Sequence, residues 1–171
     1  MKKKKIQEPY VPDTLKLLKG TKDTLWDASL SDQAIEESFF EDLNNEEEDY
    51  KNIVISQSMF EGCSFHKCGF ENAEFSNVLF SRCDFSGCNL NNIYMSKVRF
   101  ANCKGLGTLF TNGVFKDVRM ESSNFAMANF DYSKFEYVAF SECNLSDSNL
   151  AYSRFNKNIK NSPSSIGSEM N

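Results

Sequence analysis

Residues that usually reverse a chain are scarce: 171 residues contain 8 glycines and 3 prolines, and no proline lies between Pro12 and Pro163. A fold that relies on those two residues at its turns is excluded. No apolar run approaches the ~18 residues of a membrane span. Lys2 to Lys5 lead into Ile6, Gln7 and Glu8 instead of the apolar stretch of a signal peptide. The expected location is therefore the cytoplasm, with no membrane partner. Histidine occurs once, at His66, and none of the 6 cysteines forms a C-x-x-C pair, so zinc and disulfide-framework readings lack their spacing. A glycine-rich phosphate loop is missing too, and no cofactor is expected. His66, with Glu61 and Glu71 five residues to either side, offers no nucleophile–base–orienter set. An enzyme is not expected.

What is abundant is phenylalanine, 16 residues against 12 leucines. Counting by fives from Ile55 to Phe155 meets 21 positions, of which all but Gly105 are large and apolar. Two residues before each stands a mostly small or β-branched side chain, and all 6 cysteines occupy such slots. Period five fits neither helix nor strand: it rotates a helix by about 140° beyond a full turn and flips a strand to its other face. The apolar set stays inside only if the chain bends about a quarter turn every five residues, so that residue i stacks on i+20. The fold class predicted is all-β, a quadrilateral β-helix whose coils repeat at the inter-strand spacing of ~4.8 Å. The cysteines then read as small buried hydrophobes.

Segments such as FSRCDFSGCNL (80–90) and SECNLSDSNL (141–150) resemble the A(D/N)Lxx motif of the pentapeptide repeat family, which implies a right-handed coil. The regular ladder is expected over 53–157. Counting back through Tyr50, Asn45 (a break), Phe40, Ile35, Leu30 and Leu25 suggests an irregular first coil over 25–52, with the acidic stretch Leu43 to Lys51 bulging from it. Residues 1–24 form a tail with a short capping helix, Asp13 to Gly20, Asp13 as N-cap and Gly20 as stop. Residues 158–171 are expected to be a polar, disordered tail.

Charge is unevenly spread: residues 1–50 carry 7 basic and 13 acidic residues, and residues 51–157 carry 11 and 10. The densest acidity is Glu46, Glu47, Glu48 and Asp49, either a solvated loop or a polyanionic contact surface. One wall of the predicted coil carries Glu71 and Asp131 without a base, together with Tyr132 and Tyr152. Another holds an outward column of Met59, Leu79, Arg99 and Arg119, either a contact strip or, as expected here, ordinary scattered surface residues.

The sequence also resembles Qnr-type quinolone-resistance proteins, which place an irregular first coil ahead of a cysteine-containing ladder. That resemblance implies binding to DNA gyrase or topoisomerase IV and protection from quinolones, with a rod that imitates DNA. Duplex DNA carries one charge per ~1.7 Å, so a ladder that nets +1 over 51–157 imitates it poorly. Only the acidic segment and the Glu71/Asp131 wall could supply a local negative track. The alternatives are a structural or adaptor β-helix for an unidentified protein, or a shortened inactive relative. Direct nucleic-acid binding is not expected, since no basic patch exists. The last coil, around Phe140, Leu145, Leu150 and Phe155, is followed by polar sequence and is the predicted contact of a homodimer.

Overall fold

The structure is a computed structural model and describes residues 5–13, 16–156 and 160–162. Its regularity begins at one backbone position. The residue two beyond each ladder centre, from Glu37 to Tyr152, has a positive φ, between 46° and 69°; 21 of these residues are not glycine and 3 are. The left-handed conformation costs a non-glycine residue about 1–2 kcal/mol, least for asparagine and aspartate, which fill nine of these corners. Stacking between coils, not glycine, therefore sets the corners, and this explains how a chain so poor in turn residues folds.

The elements in order are β1 (Leu18–Lys19), α1 (Lys22–Ser29), β2 (Ile35–Glu36), β3 (Ser38–Glu41), β4 (Asn44–Glu46), β5 (Val54–Glu61), β6 (Ser64–His66), β7 (Glu74–Ser81), β8 (Tyr94–Ala101), β9 (Val114–Glu121), β10 (Lys134–Ser141), β11 (Arg154–Asn156) and β12 (Lys160–Ser162). Every pairing is parallel, and the register steps by twenty: Phe40 lies on Phe60, Phe60 on Phe80, Phe80 on Phe100, Phe100 on Met120 and Met120 on Phe140. Two sides of each central coil belong to one eight-residue strand that bends at its middle. The other two are single bridges, such as Asp84 to Lys104 and Asn89 to Leu109. Each closes through a turn in which the residue three after the centre donates its N–H to the centre's carbonyl, as Cys88 does to Phe85 at 2.9 Å. The result is a parallel β-solenoid of about 7 turns.

Inside, the rings stack along each column and meet edge-on between columns. Phe110 and Phe130 lie 4.8 Å apart and 6° from parallel, while Phe80 meets Phe85 at 5.1 Å and 89°, both favoured aromatic geometries. Gly105 leaves no gap, because the ring of Phe125 occupies the space a β-carbon there would need. All 6 cysteines are free and buried, as the small slots predict. Burial pushes the Cys68, Cys88 and Cys143 thiols up, and hydrogen bonds to Cys103 and Cys63, with burial, do the same to Cys83.

Three expectations at the N-terminal end need correction. The helix is not Asp13 to Gly20 but Lys22–Ser29, capped by a Thr21/Thr24 box. Leu18 and Lys19 instead extend the sheet by pairing with Ser38 and Phe39, and Gly20 is required because the Phe40 ring fills the space beside it. The coil over 35–52 is regular, with Ile35 on Ile55. Of the positions counted further back, Leu25 is buried on the inner face of α1 whereas Leu30 is 72% exposed at the helix C-cap. Nor does the acidic stretch bulge: Asn44–Glu46 pairs residue for residue with Ser64–His66. Asn45 keeps its place inside because the Tyr50 hydroxyl donates to its Oδ1 at 2.8 Å and its own amide donates to the Ser64 carbonyl at 3.3 Å.

At the far end, β12 pairs with Ala139–Ser141 in a step of twenty-one, Phe140 facing Asn161. The rest of the tail expected over 158–171 lies outside the described residues.

Candidate protein-binding surfaces

The coil's geometry distributes the four acids of the N-terminal run over different directions. Glu46 projects from one side, opposite His66 in the register, and Glu47 stands at the following corner with φ 56°. Glu48 falls in the slot that Cys68 fills one coil later, and Asp49 opens the next side, bridged to Gly69. Three of the four already meet a lysine. Lys67 Nζ donates to Glu47 Oε1 at 3.1 Å, Lys22 of α1 pairs with Glu48, and Lys51 Nζ lies 3.0 Å from Asp49 Oδ2. The bond to Asp49, with its charge and that of Glu71 on the neighbouring coil, holds the Lys51 ammonium above its ordinary value. Exposed pairs like these contribute little stability, but they cancel most of the field that a polyanionic surface needs.

Glu71 and Asp131 do share one side, three coils and ~14 Å apart, with Asn91 and Thr111 between them in the column. Asn91 Oδ1 accepts the Thr111 N–H at 3.0 Å, so this stretch of wall is neutral and hydrogen-bonded. Beside Asp131 the rings of Tyr132 and Tyr152 stack at 4.9 Å and 10°, and they are 54% and 72% exposed. Asp131 Oδ1 is buried with no hydrogen-bond partner among the described residues. In the last coil Phe140 and Leu145 are buried, while Leu150 and Phe155 are partly buried against the core. Phe155 stacks on Phe135 at 4.8 Å.

The outward column of Leu79, Arg99 and Arg119 is occupied by the chain itself. Residues 5–13 run along the rod over the bend of the eight-residue strands. Gln7 N–H donates to Asp117 Oδ1 at 2.9 Å and Tyr10 N–H to Asn77 Oδ1 at 3.1 Å. Glu8 Oε1 lies 2.6 Å from Arg119 Nε, in an orientation that makes it an ion pair and not a hydrogen bond. Arg99 is held by Glu121, with Nε 2.8 Å from Oε2. The column of Leu79, Arg99 and Arg119 is therefore a contact strip. The sequence shows the column itself by its twenty-residue step, but for the segment that covers it the one signal is the complementary charge of Glu8, since 5–13 has no five-residue pattern.

The family model for pentapeptide repeats matches residues 73–117 and 123–157, in 8 copies. These two stretches are pentapeptide repeats. Similar solved structures include a trypsin-treated variant of QnrB1, a plasmid-mediated fluoroquinolone resistance protein, at 17% identity over 70% of this chain and 82% of that one, with a TM-score of 0.44. Full-length QnrB1 shows 16% identity over 81% and 89% of the two chains, with a TM-score of 0.33. Rfr23, a pentapeptide repeat protein from the cyanobacterium Cyanothece 51142, shows 11% identity over 71% and 86%, with a TM-score of 0.31. No curated protein matches the sequence significantly.

Proposed function

We propose that this protein is a non-catalytic binding rod for a protein partner, that the partner is a type II topoisomerase, DNA gyrase or topoisomerase IV, and that binding protects the enzyme from quinolones. The observation that carries the binding reading is the division of labour within each pentapeptide: two side chains build the interior and three face outward on long walls. Such an architecture makes surface. The topoisomerase assignment rests on the sequence's resemblance to the Qnr-type subgroup. We place the contact on the wall of Glu71, Asp131, Tyr132 and Tyr152, because exposed tyrosines are effective interface anchors. The run Glu46 to Asp49 is a weaker candidate, its carboxylates being largely answered by lysine. That pairing also favours the second reading, an adaptor that recognises a protein by mixed charge and aromatic contact without imitating DNA. End-to-end pairing through Leu150 and Phe155 is the proposed assembly.

The test is gyrase supercoiling with ciprofloxacin, titrated with this protein beside a drug-free control. Protection at low micromolar protein, lost by at least about tenfold in Tyr132→Ala/Tyr152→Ala, is expected. Absence of protection by the folded wild type moves the assignment to the adaptor.

A further inference from the structure

The strip beneath residues 5–13 has the spacing of a peptide-binding track. An extended chain advances ~3.3–3.6 Å per residue, so the three residues from Gln7 to Tyr10 cover ~10 Å. The acceptors they reach, Asp117 and Asn77, stand two coils apart, ~9.6 Å. Because both bonds use main-chain N–H groups, this match holds for any extended segment laid along the rod. Selection falls to side chains. Glu121 engages Arg99, but its nearest approach to Arg119 is 3.9 Å, so Arg119 is the cation that faces the segment, and Glu8 answers it. The seat is imperfectly filled: beside the Glu8–Arg119 pair an open hollow of about 510 Å³ remains, lined by Glu8, Pro9 and Val11 of the segment and by Leu79, Arg99 and Arg119 of the rod. Among the described residues, positions 7–10 are tied to the rod by the two main-chain bonds and the Glu8 ion pair, and Tyr10 is 66% exposed, so a better-fitting competitor can displace them.

We propose that this corner is a docking track for an extended peptide segment of a protein partner, one that places a carboxylate over Arg119, and that residues 6–11 are its resident, displaceable occupant. The proposal is independent of the topoisomerase reading and uses a different wall.

A fluorescein-labelled peptide of residues 5–13 tests it by anisotropy against full-length chains. The tethered segment competes at an effective concentration in the millimolar range, so the wild type binds the peptide weakly. Glu8→Arg repels the strap from Arg119 and is expected to tighten peptide binding at least about tenfold, with the Gln7 amide changing from slow to fast hydrogen exchange. Arg119→Glu abolishes binding of this peptide but accepts one carrying arginine in place of its glutamate. Combining both substitutions restores Gln7 protection and suppresses binding of either peptide. Equal affinity of wild type and Glu8→Arg overturns the strap's role as occupant. No binding to a Glu8→Arg chain whose Gln7 amide exchanges fast overturns the track.

Discussion

At position 45 the ladder holds an asparagine where the next two coils hold Phe65 and Phe85, and the side chain is fully buried. A buried amide is tolerated only when its groups are bonded, and Tyr50, five residues on, supplies the donor. Tyr50→Phe removes that hydroxyl and strands Asn45 Oδ1. The expected cost in urea unfolding is about 1–3 kcal/mol, and Asn45→Leu added to Tyr50→Phe should recover most of it, since an apolar pair has nothing to satisfy. Burial, then the charges of Cys68 and Glu48, pushes the Tyr50 hydroxyl up. The neutral form is thus favoured by folding: the contribution is intact below the unfolded value of ~10 and is lost as pH climbs beyond it. Tyr50→Phe should lack this component of alkaline destabilisation. An unchanged urea midpoint for Tyr50→Phe would show that the bond contributes nothing.

At the scale of a coil, the repeat counts positions but does not say who fills them. Gly105 reads as the one defect among the ladder centres, and restoring leucine there looks like a repair. The Phe125 ring already occupies the room, so Gly105→Leu should destabilise by about 1–3 kcal/mol through overpacking, read as a lower urea midpoint at unchanged slope. A gain in stability would mean that the ring can swing away at no cost. The ladder from Ile53 onward was legible because its interior asks only for size at a fixed spacing. The leading coil was misread because Asn45 looked like a break and the hydroxyl that satisfies it belongs to a residue counted as apolar. Gly20 was read as a helix stop, but its cause is a ring twenty residues away. Contacts of that kind, and the charge pair of Lys22 with Glu48, join residues remote in sequence and leave no periodic trace. Of the candidate surfaces, the tyrosine pair and the column of Leu79, Arg99 and Arg119 were both visible as twenty-residue steps, whereas the covering of that column by residues 5–13 was not.

For the molecule as a whole, the solenoid's sides are closed by its own turns, and its ends are where further chains can add. α1 covers the first end with Leu25 and Ala28. At the other, Leu150 and Phe155 are the ladder residues least covered. If they pair end to end, light scattering at about 50 μM gives twice the 19.5 kDa of the chain, and Phe155→Asp returns it to the single value. A wild type that scatters as one chain refutes the pairing.

The bonds between coils run along the rod, so tension applied to its ends meets them one coil at a time, each release paying out ~66–72 Å of chain for one ~4.8 Å rung. A pull on the N-terminus meets something else first. Residues 7–10 are anchored at Asp117 and Asn77, in the middle of the rod, so the force peels this segment away before it reaches β1. Mechanical load on the N-terminus would thus uncover Arg119 while every coil is still wound.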